Sequence, residues 1–481
     1  MELPKTLSLF FPRLQKLVLA TNSIKILNLI YKNIYKSGLN LFIKKIKNFS
    51  QIKSVYLRRG LTAKDWIPGS SDIDLFVLIE EQETKDEIIF LKAFWGIYNS
   101  IKKYFPFFGE VQIANEREFR FYRRHGGIRA ADTVNWQLLH GQPFENTADN
   151  NQFNALSEIF NSYLILSNNY FAKNSINNRE TNFKAFADIM RYSLPNEELS
   201  KLPRSRKEFI ELFYKNTPQT LPFAINHLDK YCREISNKLQ KDNSDKIFSE
   251  ITAPGVISNK EAEQKCIQIE TKTGLKGISV LLPEYSYLPS YMFVILTETD
   301  NLETLTRYLK YDLLSANHGK IPVILTQNMF NCLLNCLFFS SPFNYFTFKS
   351  EWSSFPELKV KRPEYETLFS MAKECAANMA VSIRMNEHSS GDSSVIYTLY
   401  STFGIILKLH LALDKKIIVS GPVNFLIETY IENYPESSQW LAKVKTYFAP
   451  PLGIGAKYDI NDVFYRNYPH LKKIISAITG L

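Results

Sequence analysis

Hydrophobic positions along the chain change period several times, and the changes mark its elements. Leu27, Ile30, Tyr31 and Ile34 recur at helical spacing with Lys25, Lys32 and Lys36 on another face, which predicts an amphipathic basic helix over residues 21–37. Its apolar stripe is expected to dock on the next domain, with the lysines left in water or offered to a polyanion. From residue 54 the pattern becomes that of strands. Residues 54–60 read as a strand ended by Gly60, Pro68-Gly69-Ser70-Ser71 as a turn, and residues 72–79 as a second strand rich in β-branched and aromatic side chains. A helix of roughly 20 residues follows, carried by Ile88, Leu91, Phe94, Trp95, Tyr98 and Ile101, and residues 107–113 return to strand. The predicted order is β–β–α–β.

Beyond Gly141-Gln142-Pro143 the helical period returns over residues 153–172 and 181–192. In the second of these Phe183, Phe186, Ala187 and Met190 form an inward stripe, with Lys184, Asp188 and Arg191 on the other side. The polar run from Lys241 to Lys246 reads as a linker. After Pro254-Gly255, residues 277–282, 291–296 and 321–325 are short apolar runs of strand type. Asp300-x-x-Glu303 is expected to form a capping box between the last two, opening a helix that reaches about Leu314. This is a βαβ pattern and predicts a small α/β module. From about Tyr365 the chain is again helical, interrupted by a loop over residues 389–394. The expected class is α+β: a basic segment 1–50, a mixed-sheet core 51–150, a helical domain 151–245, an α/β module 262–345 and a mainly helical region 346–481.

Composition narrows the function classes. With 45% hydrophobic and 22% charged residues in 481, the chain buries large cores, which excludes a mostly disordered protein. No window approaches the length and apolarity of a membrane span and no signal-peptide pattern follows Met1, so a soluble cytoplasmic protein is expected. Five cysteines with no C-x-x-C spacing indicate neither a disulfide framework nor a zinc ribbon, and Cys332 and Cys336 read as core thiols. The net charge of +10 is concentrated: up to Gly60, twelve basic residues stand against Glu2 alone. Nucleic acid or another polyanion is therefore a candidate partner for the N-terminal segment. A second basic run, Glu116 to Arg129, reads as a solvated helix face or as a contact to an acceptor or phosphates.

The chemistry is concentrated at residue 72. In a strand, positions i and i+2 share a face, so Asp72 and Asp74 project together while Ile73 and Leu75 enter the opposite side. Adjacent carboxylates repel, and a divalent cation relieves them. Glu110, at the start of the next strand, is expected beside them, with Glu116 and Glu118 as the other choices for a third acid. Hard oxygen ligands of this kind suit magnesium bridging a triphosphate.

Gly60, a spacer, Ser71-Asp72-Ile73-Asp74-Leu75 and a later strand carrying Glu110 together resemble the signature of the DNA polymerase β-like nucleotidyltransferase superfamily, over roughly a fifth of the chain. The resemblance implies a nucleotidyltransferase-fold core and transfer of a nucleoside monophosphate from a nucleoside triphosphate to an acceptor hydroxyl, using two magnesium ions. It implies Asp72, Asp74 and Glu110 as metal ligands and catalytic residues. A glycine–serine turn in that superfamily holds the nucleotide phosphates, but this chain has Gly60-Leu61. Backbone amides there, with Arg59, Thr62 or Lys64, are left to the task, and Ser71 adjoins it. Many relatives place a lysine of the helical domain against the triphosphate, and Lys184 is the residue expected in that role. The competing expectation is a degenerate nucleotidyltransferase fold, acting as a nucleic-acid-binding or regulatory subunit.

Overall fold

The computed structural model describes residues 17–18, 20–21, 24–58, 66–69, 71–144, 155–171, 178–194, 202–203, 205–238, 248–252, 260–276, 278–281, 292–313, 321–336, 365–384, 403–420, 423–448 and 460–480. A helix, α1 (Lys25–Ile46), leads into a four-stranded mixed sheet of β1 (Ile52–Arg58), β2 (Ile73–Ile79), β3 (Phe108–Asn115) and β4 (Gln137–Gly141). The strand order is β3-β2-β1-β4. β1 pairs antiparallel with β2 and β4, whereas β2 and β3 are parallel and are joined by the crossover helix α2 (Thr84–Lys102). The expected β–β–α–β order is therefore present.

Alternation along β2 places its two faces in different cores. Ile73, Leu75, Val77 and Ile79 pack with Phe90, Leu91, Phe94 and Trp95 of α2 and with C-terminal helices. Phe76 and Leu78 face the other way, onto Phe119 and Tyr122 of α3 (Glu116–His125) and onto Trp136. A strand buried on both faces has to be apolar almost throughout, and only its entrance is free to carry acids.

The N-terminal helix differs from the expected one. Its buried side chains are Tyr35, Leu39, Phe42 and Ile46, and Ile30 and Ile34 of the expected inward stripe are 46% and 43% exposed. The helix docks through its C-terminal half, where Phe42 meets Phe94 and Phe108, while Ile26, Leu29 and Ile30 of its first turns are exposed.

Helices α4 (Leu156–Phe171), α5 (Asn178–Tyr192), α6 (Arg206–Phe213) and α7 (Leu221–Lys238) follow, then β5 (Ser249–Thr252) and α8 (Lys260–Thr273). The α/β part contains β6 (Ser279–Leu281), β7 (Met292–Leu296), α9 (Leu302–Tyr308), β8 (Ile321–Leu325) and α10 (Gln327–Cys336). β7 and β8 are parallel on either side of α9, as a βαβ unit requires, and β6 adds antiparallel to β7. These strands share one core with α4, α5, α6 and α7. The expected capping box does not form. Asn301 occupies the N-cap with no side-chain cap, and its amide donates instead to the Lys276 carbonyl at 3.0 Å.

The C-terminal part has α11 (Tyr365–Ser382), a helix over 403–410, β9 (Ile417–Ser420), α12 (Val423–Asn433), α13 (Ser438–Phe448) and α14 (Ile460–Thr479). β9 pairs in parallel with β5, a link absent from the sequence reading. Cys232 and Cys332 are buried core thiols, as the apolar context of Cys332 predicts. The molecule is thus α+β and mainly helical around small sheets. Among the described residues, no helix is long and apolar enough to cross a membrane.

Candidate functional site

The turn before β2 is built by its own polar atoms and by α1. Gly69 takes φ +83°, a left-handed value natural to glycine. Ser71 N–H donates to the Ile67 carbonyl at 2.8 Å, and Ile67 N–H donates back to Ser71 Oγ at 3.0 Å. From α1, the Tyr35 hydroxyl donates to the Ser71 carbonyl (3.0 Å) and accepts from Gly69 N–H (3.2 Å). Tyr35 is clamped between Phe107, stacked at 3.8 Å, and Trp66, edge-on at 5.0 Å. Burial, opposed by the Gly69 hydrogen bond, pushes its phenol up to about 12, so it remains a neutral donor. Sequence reasoning assigned Tyr35 no role; its signal was an aromatic at the buried end of the basic helix.

Asp72 and Asp74 emerge from this turn on one face. Directly opposite, β3 carries Gly109, and a Cβ built there would lie 2.5 Å from Asp74 Oδ1 and 2.7 Å from Asp72 Cβ. A glycine is therefore required where β3 passes the two carboxylates. Asp72 itself is exposed at the mouth of the turn, but desolvation by the protein packed around it and then the Asp74 charge raise its carboxyl to about 6, while Lys184 and Lys102 oppose the rise. Two anions are crowded with two nearby cations, a donor set of hard oxygens that fits a divalent cation.

Both lysines come from outside the sheet. Lys184 of α5 donates to Ser71 Oγ at 3.3 Å. The alternative pairing with Asp188 is absent, because Arg206 takes both Asp188 oxygens at 2.7 and 3.0 Å. Phe186, Ala187 and Met190 are buried as expected, which fixes the roll of α5 and turns Lys184 toward the turn. Lys102, at the last turn of α2, was not singled out from the sequence. Its ammonium donates to the Tyr98 hydroxyl (3.3 Å), which in turn donates to the Gly109 carbonyl (2.5 Å).

The three candidate third acids fall in different places. Glu110 lies on the Asp74 face of the sheet: its N–H donates to Asp74 Oδ1 at 2.9 Å, and its carboxylate accepts from Gln112 Nε2 at 2.8 Å. Glu116 lies on the surface, paired with Lys53 at 3.2 Å and with Arg120. Glu118 is fully buried, closes a capping box with Asn115, and receives Arg384 bidentately at 2.6 and 2.9 Å. The same guanidinium contacts Glu87, which also accepts from Tyr468 and Lys472. Burial pushes Glu87 up, but Arg384 and these hydrogen bonds outweigh it and hold the carboxyl below its ordinary range. Glu116 and Glu118 are thus engaged elsewhere, which leaves Glu110 as the third acid next to the pair. Among the described residues, no group of three His, Cys, Asp or Glu side chains is close enough to hold a metal ion. The Asp72–Asp74 pair fits the cation, and Glu110 is adjacent but held by Gln112.

Arg59, Gly60, Leu61, Thr62 and Lys64, the expected phosphate-contacting residues after β1, lie outside the described residues, as do the linker at 241–246 and the loop at 389–394. Compared with protein-family models, curated proteins and solved structures, the chain matches none.

Proposed function

We propose that the chain is a magnesium-dependent nucleotidyltransferase, joining the α-phosphate of a nucleoside triphosphate to an acceptor hydroxyl with release of pyrophosphate. The observation that carries this reading is the pair Asp72 and Asp74 on one strand face, passed by a strand that bears glycine there and flanked by Lys184 from a separate helical layer. Asp72 and Asp74, joined by Glu110 once it is released from Gln112, would hold magnesium, which when bound offsets phosphate charge and acidifies the acceptor hydroxyl. Lys184 and Lys102 bind the triphosphate by charge, and Ser71 with Tyr35 keeps the turn in register with the carboxylates. Glu110, released from Gln112, accepts the hydroxyl proton as the acceptor oxygen attacks the α-phosphorus. The oxygen–phosphorus bond forms as the bond to the bridging oxygen breaks, and pyrophosphate leaves with that electron pair.

Label transfer from α-labelled nucleoside triphosphates to cellular RNA, protein or small-molecule extracts tests this. Asp72→Asn and Asp74→Asn should abolish transfer while melting at or above the parent temperature, because each relieves carboxylate crowding. Glu110→Gln should lose more activity than Glu116→Gln. Unchanged transfer by both aspartate variants would sink the assignment. A second reading, a degenerate domain that retains the fold and binds without catalysing, is favoured by the Gln112–Glu110 hydrogen bond, which keeps the third carboxylate from the pair. Calorimetric magnesium binding that Asp74→Asn removes separates the two: it is required by the transferase and not by the degenerate domain.

A further inference from the structure

A cleft of about 1400 Å³ runs along α3, at the opposite end of β2 from Asp72. Six cations line it: Lys53, Arg117, Arg120, Arg123, Arg124 and Lys373. The lining carboxylates are three, Glu80, Glu81 and Glu116. Glu80 and Glu116 are already taken up by Lys53, and Glu116 also by Arg120. Arg117 and Arg124 are exposed, and among the described residues no carboxylate pairs with either. Spaced at i, i+3 and i+7, Arg117, Arg120 and Arg124 form a row on one helix face. A row of like charge is unfavourable in the isolated helix. It is better accounted for by an anionic ligand than by the fold, since the buried side of α3 is held by Phe119, Tyr122 and Glu118.

Two rings border this row. Phe121 is half-buried on the same side of α3, and Phe144, also half-buried, lines the cleft against Phe119 at 5.1 Å with the Arg123 guanidinium 5.0 Å from its centroid. Cations interleaved with rings at a cleft are what an unpaired strand needs, phosphates on the arginines and base faces on the rings, whereas a duplex keeps its base faces stacked away. We propose that this cleft binds single-stranded nucleic acid, an interaction that requires neither magnesium nor nucleoside triphosphate and stands apart from the transferase reading.

The test is anisotropy of a short labelled single-stranded RNA across a salt series, without magnesium or nucleotide, with the full chain. The triple variant Arg117→Gln, Arg120→Gln, Arg124→Gln should bind at least roughly tenfold more weakly at low salt. Its slope of log affinity against log salt should be shallower by about 2, at ~0.7 for each of three lost phosphate contacts. Phe144→Ala should weaken binding with the slope unchanged, and Asp72→Asn should leave binding intact, so that loss of transfer and loss of binding are read separately. The arginines are exposed, and circular dichroism melting at the parent temperature verifies the fold of each variant. A slope identical in the arginine triple variant overturns the proposal. So does flattening in a Lys25→Gln, Lys32→Gln, Lys36→Gln variant instead, which would move the strand to the N-terminal helix. Heparin binding as tightly as RNA, with no effect of Phe144→Ala, would reduce the cleft to a general polyanion surface and reject the base contacts.

Discussion

Lys184 and Lys102 answer the same problem from two different helices, the excess of negative charge where β2 begins. A triphosphate would add more of it, so the two ammonium groups are the side chains whose loss should be felt first in nucleotide binding. Lys184→Ala is expected to raise the apparent KM for the nucleotide roughly tenfold, the effect of about 1.5 kcal/mol for one charge-assisted contact, with a smaller change in kcat. Lys102→Ala should act in the same direction. Steady-state kinetics on the transfer reaction decides this, and two variants with the parent KM would remove both lysines from the site. Glu118 illustrates the opposite fate of a charged residue. In the sequence it stands as an alternative to Glu110 for the third acid, yet with Arg384 wholly buried beside it the carboxylate is held by a partner 266 residues away. Such a pairing leaves no trace in local spacing.

The elements differ in how far they could be read ahead of the structure. α2 was legible because its inward stripe, Ile88, Leu91, Phe94, Trp95, Tyr98 and Ile101, is uninterrupted, and all of it is buried except Ile88, which is half-buried at the start of the helix. β2 was legible because a run of apolar β-branched and aromatic side chains behind two acids allows few alternatives. α1 was misphased: Ile30 and Ile34 have the right spacing, but whether a stripe is covered depends on what distant parts of the chain pack against it, which the helix sequence does not encode. β5 and β9 escaped notice because each is four residues long and gains its strand character only from the other. The docked half of α1 also has a local consequence. Tyr35→Phe removes the hydroxyl that holds both Ser71 and Gly69, leaving the partly buried Gly69 N–H without that acceptor. The expected loss is about 1–3 kcal/mol in urea unfolding, with no change in the helical circular dichroism signal. An unchanged midpoint would mean that the turn keeps its shape without α1.

α11 joins the three cores found among the described residues. Ala372, Ala376 and Ala380 enter the core beneath the four-stranded sheet, Ala377 and Val381 enter the core on its other face, and Met371 packs against the helical and α/β core. Small residues at this spacing let neighbouring backbones approach closely, and they also bring one acid into a poor place. Glu374 rests on Gly127, where a Cβ would lie 2.5 Å from its Oε1 and φ is +62°. Burial first, then the Glu158 charge, push its carboxyl up to about 8 from an ordinary 4.5, and Arg129, itself paired with Glu158, only partly offsets this. The folded chain therefore holds a proton that the unfolded chain gives up more readily. Stabilisation from this group is complete below pH ~4.5 and is lost as pH rises through ~8, because ionisation in the folded state is the costly step. Glu374→Gln keeps the shape and abolishes the ionisation. The variant should match the parent near pH 4 and exceed it increasingly up to pH ~9, with the gap opening across that window. Urea midpoints measured across the range test this, and parallel profiles would show that water or Arg129 already compensates the carboxylate where the three cores meet.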